Sequence, residues 1–446
     1  MPLRAPIDRA IRLTRVMTRR HGPTALVWRR RIALGAGAVV VGLVALLFAH
    51  FADRANAQFM QIVQLAWWLP LILTPAIFAG IAWATQRVAP ETAGSGIPQV
   101  IAAISNPERA TTTLISMRAA GVKFLLTLAA LVGGASVGRE GPTVQISAAI
   151  MAWLHRLLRV QMRASVIIAG GAAGVAAAFN TPLAGITFAI EELADAYEQR
   201  VALLVMTTIL ISGIVSLGIA GDYVYFGFVG DRLALSSAML AAPVAGVLGG
   251  LAGGLFARAM LEVSQRRARI FPYIGSRPVL WALACGVVVA VAGVTTGLTW
   301  GTGYNAARAI IEGVDSPWWF APAKFISTLA TAVAGVPGGI FAPSLATGAG
   351  FGGLLRLIFP GDAAGPIVLL GMTAYFAGVV RAPLTAVIII VEATASRGLI
   401  MPLFAAALIA DGAARLVCKE RLYHGLSRPW LAKAQPPPPS APAASA

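Results

Sequence analysis

The chain has 446 residues, of which 58% are hydrophobic and 12% charged. A soluble domain carries about 25% charged residues, so a soluble globular enzyme is excluded; intrinsic disorder is excluded too, because apolar content this high cannot stay solvated. The net charge of +17 suits a membrane protein with basic cytoplasmic loops, and the basic residues flank apolar spans instead of forming the folded patch of a nucleic-acid binder.

Residues 1–31 hold nine arginines and one acidic residue, Asp8, ahead of the apolar run Ile32–Phe48. This basic region is too long for a signal peptide. It predicts an uncleaved first span with a cytoplasmic N-terminus, and it also suits a basic amphipathic helix on the membrane surface. Apolar segments recur at 65–86, 122–137, 143–158, 164–179, 183–194, 201–219, 237–260, 279–298, 321–335, 342–359, 366–380, 384–394 and 399–417. A spanning helix needs about 20 residues at about 1.5 Å each, and several of these runs are shorter. Short runs interrupted by glycine and proline read as broken or re-entrant helices, which survive in a membrane where they line a polar cavity. Arg266, Arg267 and Arg269 form a second basic stretch, and Arg415, Lys419, Arg421, Arg428 and Lys433 a third. Both are expected on the cytoplasmic side. The Pro/Ala-rich tail, 431–446, reads as disordered.

An internal repeat organises the chain. Lys123-Phe124 recurs as Lys324-Phe325, an offset of 201 (324 − 123). In the same register Gly134 matches Gly335, Gly138 matches Gly339, Pro142 matches Pro343, Pro182-Leu183 matches Pro383-Leu384, and Glu191 matches Glu392. Gly94-Ser95-Gly96 resembles Gly301-Thr302-Gly303 at an offset of 207 (301 − 94). Two membrane repeats, 32–220 and 232–430, joined by a linker at 221–231, predict a transporter-like site at their interface.

Three glycine-bearing stretches precede or include a proline suited to a first helical turn: GSGIP (Gly94–Pro98), GREGP (Gly138–Pro142) and GGIFAP (Gly338–Pro343). Helix N-termini carry about half a positive charge and open N–H donors, so they bind anions; tight helix packing is the other use of such glycines. Arg139 and Glu140 sit between apolar runs, where an ionisable residue is functional by default. A carboxylate aimed into an anion site competes with the anion, and Glu140 could both exchange protons and act as a plug. Glu191 and Glu192 end an apolar run; they read either as a solvated helix end or as a proton relay. Lys123 and Lys324 could pair with these carboxylates or raise the local positive potential. Gly134-Ala135-Ser136-Val137-Gly138 matches the GxSxG nucleophile pattern, but that elbow needs a strand, a helix and a histidine partner, so a hydrolase at Ser136 is set aside. Tyr423 reads from its position as an interfacial anchor. Cys285 and Cys418 frame no disulfide set, and with four histidines and no CxxC spacing neither a metal nor another cofactor is expected.

GSGIP, GREGPTVQ, FNTPLAG (Phe179–Gly185) and GGIFAP, in this order, resemble the CLC chloride channel and transporter family over roughly 65–430. The resemblance implies an all-α polytopic membrane fold of about eighteen helices in two inverted repeats, and a homodimer with one pore per subunit. It implies that Ser95 and the Tyr423 hydroxyl coordinate the central anion with the backbone N–H groups of Ile340 and Phe341, and that Arg139 and Gly141 belong to the same anion-binding set. It makes Glu140 the external gate and Glu192 the internal proton-transfer glutamate of the exchangers. The implied function is chloride/proton antiport in a bacterial inner membrane, with both termini cytoplasmic; a passive chloride channel of the same fold is the alternative. Two details depart from the family: Gln99 follows GSGIP where many members have glutamate, and Thr181 stands in FNTP where alanine is usual. Serine in GSGIP favours chloride over nitrate, where methionine would mark a fluoride branch. Only 16 residues follow Trp430, too few for the paired nucleotide-binding CBS domains of some members.

Overall fold

The structure, a computed structural model, describes residues 5–194, 199–221 and 224–434. The side chains of the first basic stretch up to residue 24 and the tail from Gln435 lie outside the described parts, and so do the expectations placed on them, but residues 431–434 are helical, which corrects the expectation of a disordered tail from 431. The described residues form eighteen α-helices and no strand.

The first half comprises α1 (Ala5–Leu65), α2 (Pro70–Val88), α3 (Ile97–Ser105), α4 (Pro107–Ala110), α5 (Met117–Val132), α6 (Glu140–Leu157), α7 (Ala164–Phe179), α8 (Pro182–Phe188) and α9 (Gln199–Ala220). A π-helical turn, Ala189–Leu193, extends α8. The second half comprises α10 (Leu235–Ile270), α11 (Pro278–Thr296), α12 (Tyr304–Ile311), α13 (Phe320–Val333), α14 (Phe341–Leu355), α15 (Ala364–Val380), α16 (Pro383–Thr394), α17 (Ile400–Val417) and α18 (Leu422–Ala434). At the sequence offsets, α2, α3, α5, α6, α7, α8 and α9 correspond to α11, α12, α13, α14, α15, α16 and α17. The shared backbone devices recur as well. Pro182 and Pro383 each open a helix at a first-turn position, where proline's missing N–H is harmless. Asn180 and Arg381 end α7 and α15 in the left-handed conformation, at φ 58° and 66°.

The two halves meet at equivalent residues. Gly138 and Gly339, equivalent in the repeat, exchange backbone hydrogen bonds of 2.7 and 2.8 Å in an antiparallel bridge.

Among the described residues, six helices are long and apolar enough to cross a membrane: Ala25–Leu65, Pro70–Val88, Ala202–Ile219, Leu235–Ile270, Pro278–Thr296 and Arg397–Val417. The shorter α7 and α15 are buried along nearly their whole length and form the core. They fit the expectation of short segments sheltered inside protein. α10 packs on α15 and α17 through a glycine face; a Cβ on Gly253 would meet the Tyr375 carbonyl at 2.5 Å. Small residues let helix backbones approach in this way where no hydrophobic drive assembles them.

Candidate anion and proton site

The loop before α3 is built by two glycines and a lysine. Gly94 and Gly96 hold φ of 68° and 103°, a region that other residues enter at a cost. Lys123, fully buried on α5, donates to the Thr92 and Gly94 carbonyls at 2.9 and 2.6 Å. Its repeat partner Lys324 donates to Thr299 and Gly301 at 2.9 and 2.8 Å. The lysines therefore pair with loop carbonyls and not with Glu191, Glu192 or Glu392. Gln99 is another clamp on the first loop, donating to the Glu91 and Ala93 carbonyls at 3.1 and 2.7 Å. The loop presents Ser95, 4% exposed, toward the chain interior.

Gly141 packs against this serine; a Cβ there would strike the Ser95 hydroxyl. Glu140 and Phe341 are the first residues of α6 and α14, with Arg139 and Ile340 as their N-caps. The Gly138–Gly339 bridge holds the two helix starts side by side. The first N–H groups of a helix have no acceptor within it, so these starts form a positive, donor-rich pocket. The Glu140 side chain is fully buried beside the backbone N–H groups of Glu140 itself and of Ala342. Neither of its oxygens closes a hydrogen bond among the described residues. Arg139 turns the other way. It donates to the Ala49 carbonyl at 2.9 Å, pairs with Asp53 at 3.1 Å, and lies 5.9 Å from the Tyr225 ring centre. A cavity of about 800 Å³, lined by His50, Asp53, Arg139, Tyr225 and Thr302 among others, opens on this side.

Tyr423 is fully buried, which corrects its reading as an interfacial anchor. Its ring lies 6.0 Å from that of Phe341, and its hydroxyl lies beside Ser95. Phe341 in turn meets Phe179, Phe188 and Phe376, at 6.3, 5.9 and 5.0 Å. This aromatic cluster locks α14 and α18 together through rings that have few rotamers to lose. The Ser95 and Tyr423 hydroxyls have no hydrogen-bond partner among the described residues. Both hydroxyls are buried and lie next to each other, so the pair can donate to an anion seated beside them.

Glu192, 2% exposed, stands on the π turn after α8. Tyr423 is within electrostatic reach of both Glu192 and Glu140. Glu192 Oε1 stands 3.5 Å from Nδ1 of His424. Glu191 points elsewhere: it accepts from the N–H groups of Leu384 and Thr385 at 3.0 and 2.6 Å, capping α16. Glu392 accepts from Leu183 and Ala184 at 3.1 and 2.8 Å, capping α8. These two carboxylates are structural caps, and the relay reading narrows to Glu192. Ser136 bonds to the Thr328 hydroxyl at 2.9 Å, which gives it no nucleophile's partner.

The structure thus gathers Ser95, Glu140, Gly141, Ile340, Phe341 and Tyr423 about the helix starts; Arg139 contributes its backbone there as the N-cap of α6 while its side chain points to Asp53, and Glu192 lies within reach of Tyr423. Sequence reasoning missed His424 and the clamp formed by Gln99. The voltage gated chloride channel family matches the chain over residues 76–415. Among solved structures, a slow cyanobacterial Cl−/H+ antiporter is 26% identical, with a TM-score of 0.77 over 90% of this chain and 98% of that one. A eukaryotic CLC transporter, at 24% identity, has a TM-score of 0.73 over 90% and 74%. A CLC-type fluoride/proton antiporter, at 22% identity, has a TM-score of 0.72 over 89% and 97%. The last two likenesses are of fold.

Proposed function

The chain belongs to the voltage gated chloride channel family, and from that premise we propose that it is an antiporter exchanging chloride for protons across a membrane. One observation carries the reading. Two buried carboxylates, Glu140 and Glu192, stand within electrostatic reach of the Tyr423 hydroxyl that faces Ser95. A chloride path needs hydroxyl and N–H donors and can use one buried acid as a gate; a second buried acid, Glu192, apart from that gate is what a proton route adds. The resemblance to a protein named as a Cl−/H+ antiporter supports the same reading.

In this mechanism chloride rests between the Ser95 and Tyr423 hydroxyls, with the Ile340 and Phe341 N–H groups completing its shell. Ionised Glu140 competes for the positive helix starts of α6 and α14 and closes the outer route. Protonation removes that charge, frees the side chain from the N–H groups and opens the route. The proton passes inward to Glu192 while chloride leaves past Tyr423. Arg139 and Gly141 serve the same site, Arg139 through its charge beside the gate and Gly141 through the close approach of Ser95.

The reading extends to placement and assembly. α10 and α18 touch at Leu261 and Gly425, so the basic stretches at 266–269 and 415–433 gather at one end of the molecule. The excess of arginine and lysine assigns that end to the cytoplasm, in a bacterial inner membrane. α9 exposes Leu203, Leu210 and Ile214, and α17 exposes Met401, Leu408 and Leu416. These faces are proposed to join two copies, each with its own pore.

The test is flux in liposomes. A chloride gradient across reconstituted protein is expected to drive uphill proton movement, recorded with pH and chloride electrodes. Chloride movement with no proton movement would replace antiport by a passive channel.

A further inference from the structure

The Glu192 side chain is fully buried, so a proton exchanging with bulk water needs a carrier at the surface. His424 fills that gap. Its Nδ1 is 3.5 Å from Glu192 Oε1, while 38% of the side chain remains exposed. It follows Tyr423 directly on α18, and successive helical side chains point about 100° apart. One helix turn therefore presents a hydroxyl to the anion site and an imidazole to the inner carboxylate.

Resting on the antiport reading, we infer that His424 is the inner proton relay, taking protons from solvent and passing them to Glu192. In the inward-to-outward direction the Nδ1–H bond of the imidazolium breaks and an O–H bond forms on Glu192. Imidazolium and carboxylate become neutral imidazole and neutral acid. Solvent then reprotonates the ring, and the reverse sequence discharges a proton arriving from Glu140. A separation of 3.5 Å closes to bonding distance by a small side-chain rotation, and such contacts commonly tighten only in the working state.

The charged neighbours leave this role to the imidazole. α18 packs on α3, α10 and α15. α3 carries no ionisable side chain. α10 brings Arg258, paired with Glu262, and basic residues at its end; α15 is followed by Arg381, paired with Asp411. On α18 Arg428 pairs with Glu420, and Arg421, just ahead of α18, donates to the Glu191 carbonyl. The Glu191 carboxylate is occupied as a cap. Imidazole is the side chain that ordinarily changes charge between pH 5 and 8.

The experiment uses full-length protein in liposomes with simultaneous chloride and proton recording, the pH on the His424 side being varied from about 5 to 8. For His424→Gln we expect proton flux to fall by about tenfold or more, with the wild-type pH inflection lost while chloride still moves. Free imidazole added to His424→Ala is expected to restore proton flux, and pyrazole, a ring of the same size that takes up no proton in this pH range, is not, a difference that a packing role would not produce. A wild-type proton-to-chloride ratio and pH profile in His424→Gln would overturn the relay and leave antiport standing. Should His424→Gln move neither ion, imidazole rescue of His424→Ala decides, and no rescue overturns it. A wild-type protein that moves no protons removes antiport itself, and the relay with it.

Discussion

Glu191 and Glu392 cap each other's partner helices across the two halves: each accepts two backbone N–H bonds at the start of the other repeat's equivalent helix. The donor pairs are themselves one repeat apart, Leu183 and Ala184 against Leu384 and Thr385. Charge-assisted bonds of this kind are worth about 1.5–3 kcal/mol each, and the helix dipoles add to them. Glu191→Gln and Glu392→Gln are each expected to lower the thermal unfolding midpoint in detergent by several degrees, without changing the proton-to-chloride ratio in liposomes. A shifted ratio with an unchanged midpoint would return Glu191 to the proton route.

How the chain announces its organisation, and where it stays silent, follows from these contacts. Membrane class and repeat register were legible because they depend on composition and spacing. The helix starts of the candidate site were legible because glycine and proline punctuation at Gly94–Pro98, Gly138–Pro142 and Gly338–Pro343 marks them, while the roles expected of Ser95 and Tyr423 came from the family resemblance. The capping by Glu191 was not legible, because an acid at the end of an apolar run looks the same as a cap and as a relay. Its neighbour Glu192, on the π turn at Ala189–Leu193, takes a different direction because successive helical side chains diverge by about 100°. Lys123 and Lys324 bind carbonyls that no motif advertises. His424 meets Glu192 from 232 positions away (424 − 192), and no local pattern links them.

Anion choice is expected to rest on Ser95. Its hydroxyl faces Tyr423 from a left-handed glycine turn, and Ser95→Pro removes the donor while keeping the loop compact. Chloride-over-nitrate preference should fall in Ser95→Pro, measured as the ratio of the two anion fluxes. Unchanged selectivity would remove Ser95 from the anion shell.

Gating is expected to follow the charge of Glu140. As pH falls the carboxylate gains a proton, stops competing for the N–H groups near Ala342, and chloride flux rises. Glu140→Gln resembles the protonated form and carries no proton. Chloride flux in this variant should persist, lose its pH dependence and drive no protons. Proton pumping that survives in Glu140→Gln would take this residue out of the mechanism.

Assembly is expected to use the exposed apolar faces of α9 and α17. α16, apolar but for Glu392 and two threonines, exposes no large hydrophobic side chain, because its own chain covers it; it is therefore a weaker contributor than its composition suggests. Mass measurement of protein in mild detergent should give a dimer. A monomer under those conditions would contradict the proposed interface.

Proton coupling on the inner side is expected to fail when Glu192 loses its charge. The repeat equivalent of Glu192 is Ala393, so an acid here is not a requirement of the fold. Both oxygens lack a bond of ordinary length among the described residues, and a buried carboxylate so placed costs free energy that structure alone does not recover. Glu191, one residue earlier, is by contrast fully engaged at α16. Chloride passing Ser95 and Tyr423 has no need of Glu192, so the two ions share only the outer part of the route. Glu192→Gln should therefore abolish proton movement while chloride still crosses, and Glu191→Gln should keep both ions coupled at reduced thermal stability. Side-by-side liposome recordings of the two variants separate the roles. Wild-type proton pumping per chloride in Glu192→Gln would end the assignment of the inner proton step to this residue, and with it the reason for placing His424 beside the route.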